Sequence, residues 1–191
     1  MKNRKSTILL LLVFLIGLSL LLYPTVSDWW NSFHQSQAIA GYAEAVANLD
    51  DISYEQYWTE AQAYNETLRG NNHRYQPTEE ENAQYESLLN VTGNGIMGYI
   101  EIPVIGVSLP IYHGTEDTVL QIAVGHIEGT SLPVGGPGTH CVISSHRGLP
   151  SAKLFTDLDK LAVGDTFLLR VLDEVLTYEV DQIHIVEPDD V

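Results

Sequence analysis

Cysteine is nearly missing from this chain. Cys141 stands alone among 191 residues, so no disulfide can close within the chain and stability must come from a packed core. Positive charge is scarce too: nine Lys and Arg face 25 Asp and Glu, a formal net charge of −16. A polyanion would meet a repulsive field, which excludes a nucleic-acid partner. No internal repeat or low-complexity tract is present, which excludes a solenoid. Compact ligand pairs of the C-x-x-C or H-x-x-x-H kind are absent as well, so His113, His126, His140, His146 and Cys141 carry no metal-site signature. The glycine-rich PVGGPG at residues 133–138 lacks the Lys-Ser/Thr of a phosphate loop and precedes a strand pattern, so it reads as a turn.

One long apolar run is present. Lys2, Arg4 and Lys5 precede residues 7–23, which are long and apolar enough to cross most of a bilayer. Positive charge before the run predicts a cytoplasmic N-terminus and a domain on the outer face, with Trp29 and Trp30 in the interfacial belt. A cleaved signal peptide competes, because Thr25 and Ser27 are small. The run exceeds the usual signal core, which favours an uncleaved single-pass anchor in the cell membrane.

The chain then divides into an anchor, residues 1–27, a helical membrane-proximal region, residues 28–92, and a β-rich domain, residues 93–191. Trp30, Phe33, Ile39, Tyr42, Ala43 and Val46 follow mostly helical spacing until Asp50 and Asp51 interrupt it, and their aromatic stripe reads as packing surface. Ser53 with Gln56 has the capping-box pattern of a second helix, on which Tyr57, Trp58, Ala61, Tyr64 and Leu68 recur. Thr78 with Glu81 opens a third, to about Leu89. Past Gly95 the texture turns to short β-rich runs, with strands predicted at 96–102, 107–112, 139–145, 166–172 and 175–186 and a turn at Asp173-Glu174. Short helices are expected at 118–124 and 153–161. Strands this short favour a closed or nearly closed β-barrel.

The run CVISSHRG, residues 141–148, has the candidate chemistry. Its apolar half leads to Ser144, Ser145, His146 and Arg147 before Gly148 and Pro150 break the strand, so the polar residues should sit at its mouth. His146 is the candidate catalytic residue, against the reading of an ordinary loop-edge histidine. Cys141 is a poor partner for it. Five residues of strand would put the two side chains on opposite faces and their backbones roughly 16 Å apart, so Cys141 reads as a small core residue.

Four blocks, YESLLNVTGNGIMGYIEIP (85–103), LPIYHGT (109–115), GHIEGTSLPVGG (125–136) and SSHRGLPSAKLFTDLDKL (144–161), together with the anchor, resemble class C, pilin-polymerising sortases. The resemblance implies a mainly β, sortase-like barrel on the outer face of a Gram-positive cell, preceded by N-terminal helices and a transmembrane anchor. It implies a cysteine transpeptidase that needs no cofactor and whose partners are pilin subunits carrying an LPxTG-type sorting motif. A cysteine attacks the Thr-Gly bond, and a pilin lysine resolves the thioester into an isopeptide bond. The histidine of the SSHRG stretch, here His146, is the acid/base partner, and an arginine on a late strand steadies the substrate or its oxyanion.

Two departures shape the expectations. The family's T-L-x-T-C stretch and its arginine fall beyond the point matching Val191, so the barrel is expected to lack its last strands and the chain to be inactive as given. Unpaired edges would make such a fragment prone to unfold or aggregate. The family's lid triplet, Asp-Pro-aromatic, is absent from residues 69–78, leaving Tyr75 or His73 as the candidate plug. A non-catalytic, membrane-tethered β-domain that binds sorting-motif peptides or pilins is the competing reading, and a small thiol hydrolase using Cys141 is a third.

Overall fold

The computed structural model describes residues 2–187; the remainder of the EPDDV end, residues 188–191, lies outside them. Helix α1, Lys2–Ala47, is continuous through Pro24 and through the 27/28 boundary. Side chains 4–26 are exposed, and the helix meets the domain only afterwards. Its docking stripe is Asp28, Asn31, Gln35, Ala38, Tyr42 and Val46, one face at helical spacing. The lower half docks by polar bonds and the upper half by apolar burial. Trp30 and Phe33, expected to pack against the domain or another helix stripe, are exposed and meet rings of their own helix, because bonding to backbone carbonyls selects the Asp28–Asn31–Gln35 face for docking.

Helix α2, Asp51–Leu68, starts earlier than the Ser53/Gln56 pattern implies. Asp50 is its N-cap and accepts the Ser53 N–H at 2.7 Å, so Ser53 lies inside the first turn. Helix α3, Glu79–Ser87, has the reciprocal capping box between Thr78 and Glu81 that the sequence predicts.

The strands are β1, Ile96–Ile102, β2, Val107–His113, β3, Val124–His126, β4, Ile143–Ser144, β5, Thr166–Val171, and β6, Glu174–Glu179. They form one mixed sheet in the order β4-β3-β2-β1-β5-β6, with β2–β3 its parallel pair. The sheet curls: β4 and β6, at its two edges, both reach a single groove through Ile143 and Tyr178. The barrel expected from short strands is therefore realised as a half-barrel. Strand β3 was not predicted: it begins at Val124, the last residue of the helix expected at 118–124, which shrinks to α4, Asp117–Leu120. Gly125 permits it, since a Cβ there would strike the Gly114 carbonyl oxygen.

Three other segments depart from prediction for identifiable reasons. In the predicted strand 139–145 only two residues pair with β3, because residues 140–142 bond to 127–131 and partly to hydroxyls: His140 N–H donates to Ser131 Oγ at 3.1 Å and Val142 N–H to Thr130 Oγ1 at 3.2 Å. The β5–β6 turn is Leu172-Asp173, one residue early, as Val171 pairs with Glu174. Leu172 holds a φ of 53° there, buried, its N–H donating to Tyr42 Oη at 2.8 Å. The helix expected at 153–161 is one 3-10 turn, Leu158–Lys160, because Leu154 is left-handed and the Phe155 N–H donates to the His146 carbonyl at 3.1 Å.

Between the sheet and α2 and α3 lies the core, from Tyr64, Tyr85 and Leu88 to Ile96, Ile111, Val124 and Leu132. Its polar centre is closed. His126 is fully buried, with Nε2 2.9 Å from the Ser131 carbonyl, which only accepts, so Nε2 carries the proton and Nδ1 accepts from Tyr85 Oη at 2.9 Å. The same hydroxyl accepts the Gly114 N–H at 3.1 Å. Burial pushes the His126 pKa down to about 4, which keeps the ring neutral.

Candidate active site

His146 lies two residues past the end of β4 and is half-buried. Pairing of Ser144 with Gly125 and the Ser145 Oγ bond to the Ala123 carbonyl at 2.9 Å fix the strand that delivers it. The following loop folds back and is pinned at several points. The Phe155 N–H holds the His146 carbonyl, Gly148 N–H donates to Thr156 Oγ1 at 3.0 Å, and Arg147 pairs with Asp159 at 2.8 Å.

Beside this histidine opens an apolar groove of about 490 Å³. Ile100 and Ile102 of β1 and Phe167 and Leu169 of β5 form its floor, with Ile143, Phe155 and Tyr178 around it. The Phe167 and Tyr178 rings stack at 5.3 Å. His146 is not itself in the lining. Ile143, three residues before it, and Phe155, bonded to its carbonyl, both are, so the backbone at His146 borders the groove. The lining aromatics were missed in the sequence, though Phe167/Leu169 and Tyr178/Val180 share strand parity, the one signal that could have grouped them.

Cys141 is half-buried in the groove wall, not in the core, and its segment is irregular, so the strand-parity argument against it does not apply. A different reason replaces it. Burial pushes the thiol pKa up to about 12, leaving almost no thiolate at neutral pH. Arg170 also lies away from the groove: its Nε is 2.6 Å from Glu101 Oε2 and its guanidinium lies over the Tyr99 ring, on the face that α1 covers.

His140 lines the groove, whereas His113 and His126 are engaged in the fold. Both ring nitrogens of His113 lie within 2.9 Å of the Gly95 and Leu88 carbonyls, and His126 is committed as above. Among the described residues no group of three or more His, Cys, Asp and Glu converges. The PVGGPG stretch is a turn, with Gly135 and Gly136 at φ of 67° and 101°. Arg69 donates to its Pro137 carbonyl. Tyr75 packs on Gly129, and neither it nor His73 lines the groove, so the plug expected of them is not seated there.

Comparison with known proteins agrees with this geometry. A family model described as the Sortase domain matches residues 100–191. Sortase D of Bacillus subtilis (strain 168) is 33% identical over 93 residues, covering 49% of this chain and 44% of that protein, so the match spans less than half the relative's length. Sortase C1 from Streptococcus agalactiae superposes with a TM-score of 0.77 at 46% identity, covering 81% of this chain and 80% of that one. Sortase C of Streptococcus pneumoniae does so with a TM-score of 0.67 at 43% identity, covering 81% and 78%. With the Sortase domain model on its C-terminal half and sortases superposing on about four fifths of it at these identities, the chain belongs to the sortase family, and sortases of class C are its structural neighbours.

Proposed function

We propose that this protein is a membrane-anchored cysteine transpeptidase of the sortase C kind, which cleaves an LPxTG-type sorting motif and joins pilin subunits through a lysine isopeptide bond. The observation that carries the reading is His146, pinned at the end of β4 beside a groove of about 490 Å³ that suits the apolar side chains of an extended peptide. The solved sortase C of Streptococcus pneumoniae, similar over most of this chain, is described in terms of pilin substrate specificity. In the proposed reaction a thiolate, stabilised by the His146 imidazolium, attacks the Thr carbonyl. The imidazolium then protonates the departing glycine amine, and a lysine amine displaces the sulfur from the thioester. An arginine steadies the charge on the carbonyl oxygen. Cys141, its thiol pKa raised by burial, and Arg170, paired with Glu101 away from the groove, are unsuited to these two roles.

The anchor belongs to the same proposal. Among the described residues one helix is long and apolar enough to cross a membrane, and Lys2, Arg4 and Lys5 before the run favour a cytoplasmic N-terminus and an external domain. The division at residues 27 and 92 is proposed with it. The test is turnover of a quenched LPxTG peptide by the product of the whole reading frame. His146→Ala is expected to lower turnover about 10²- to 10⁴-fold, and Cys141→Ser to leave it near wild type. Loss of turnover in Cys141→Ser alone would support the thiol hydrolase instead. The open groove and inert thiol favour one further reading, a tethered module that only binds sorting-motif peptides or pilins; peptide binding without turnover by that product would establish it.

A further inference from the structure

The loop that follows His146 is tied to the part of α1 that lies just past its apolar run. Lys153 N–H donates to Asp28 Oδ1 at 2.6 Å, and Asn31 Nδ2 donates to the Ser151 carbonyl at 2.7 Å. At 1.5 Å per residue, Asp28 stands roughly 8 Å and Asn31 roughly 12 Å beyond Tyr23 along the helix. The headgroup layer outside a bilayer's hydrocarbon core is itself about 5–8 Å deep. The same turns leave Trp29 and Trp30 64% and 57% exposed, aromatic side chains at the depth where an interface holds them.

Charge points the same way. Six Lys and Arg follow α1 in a chain of net charge −16, and three of them, Arg147, Lys153 and Lys160, fall in this one loop against Asp157 and Asp159. All three side chains are more than half exposed despite their ion pairs. We propose that the segment spanning residues 147–160 rests against the phospholipid headgroups of the membrane that α1 enters, with Arg147, Lys153 and Lys160 turned toward lipid phosphates. The mouth of β4 is thereby held at the bilayer surface. The opposite end of the domain, where α1 ends at Ala47 and α2 begins, stands roughly 36 Å from Tyr23 along the helix. The proposal rests on the anchor reading above.

The test places a nitroxide label at Pro150→Cys or at Ile52→Cys, each in a Cys141→Ser background of the full chain. The chain is inserted into phosphatidylglycerol-containing vesicles doped with a nickel-chelating lipid. Pro150 is exposed and leaves the three cations intact, while Ile52 is exposed at the far end of α1. Several-fold stronger relaxation at 150 than at 52 is expected. Vesicle-bound protein with equal relaxation at both sites overturns the proposal and leaves the anchor standing; protein that fails to float with vesicles overturns the anchor and the proposal with it. On the unaltered chain, hydrogen exchange in lipid nanodiscs against detergent micelles should add protection at 147–160 and none at 50–54, and equal change in both overturns it.

Discussion

Tyr42 and Tyr178 lie on opposite faces of the β1–β5–β6 sheet and meet different surroundings. Tyr42 is 1% exposed beneath α1, its hydroxyl donating to the Met97 carbonyl at 3.1 Å and accepting from Leu172 N–H, and burial pushes its pKa up to about 12. Tyr178 is half-buried, stacked on Phe167, and borders open space. One face spends its apolar and polar groups on holding the fold. The other leaves apolar side chains without partners, which is where a ligand finds surface to bury.

That contrast can be broken by substitution. Tyr42→Ala should cost about 3–5 kcal/mol, since it opens a cavity and strands two buried backbone groups. Tyr178→Ala should cost about 1 kcal/mol, the scale of one aromatic pair. Denaturant midpoints of the two variants in detergent would refute the comparison by coinciding. The closed centre should also show in pH. His126 binds a proton near pH 6.5 when unfolded but only near pH 4 when folded, so its stabilisation is complete above about 6.5 and falls away as pH drops through that window. The loss should approach roughly 3 kcal/mol, and His126→Gln should flatten melting temperature against pH over that range. Burial lowers the His113 pKa as well and acts in the same direction.

Smaller effects sharpen the picture. Tyr42→Phe keeps the ring but leaves the Leu172 N–H and Met97 carbonyl without their partner, which should cost about 1–3 kcal/mol in the same denaturation measurement. Arg147→Ala should change stability by less than about 1 kcal/mol, because the pair with Asp159 is solvent-exposed on both sides. A larger loss would mean that the rim is as tightly organised as the α1 face.

Much of the scaffold was legible in the residues. The Thr78/Glu81 capping box, the strand over 96–102 and the apolar run each depend on neighbours a few positions away, and each stands where the pattern put it. The site was legible only in part. CVISSHRG pointed to His146 after a strand, but the strand is two residues long and the groove beside it is assembled from β1, β5 and β6. No local period encodes such an assembly.

The Thr78/Glu81 capping box, the strand at 96–102 and the long apolar helix were determined by the sequence alone, because each is a competition among residues adjacent along the chain. The docking face of α1, the loss of strand pairing at 139–142 and the upward shift of the Cys141 pKa were decided only by tertiary structure. Desolvation and hydrogen-bond partners from distant segments set those outcomes. Asn31 meets Ser151, Val142 meets Thr130, and the Cys141 thiol faces a wall to which β1, β5 and β6 contribute.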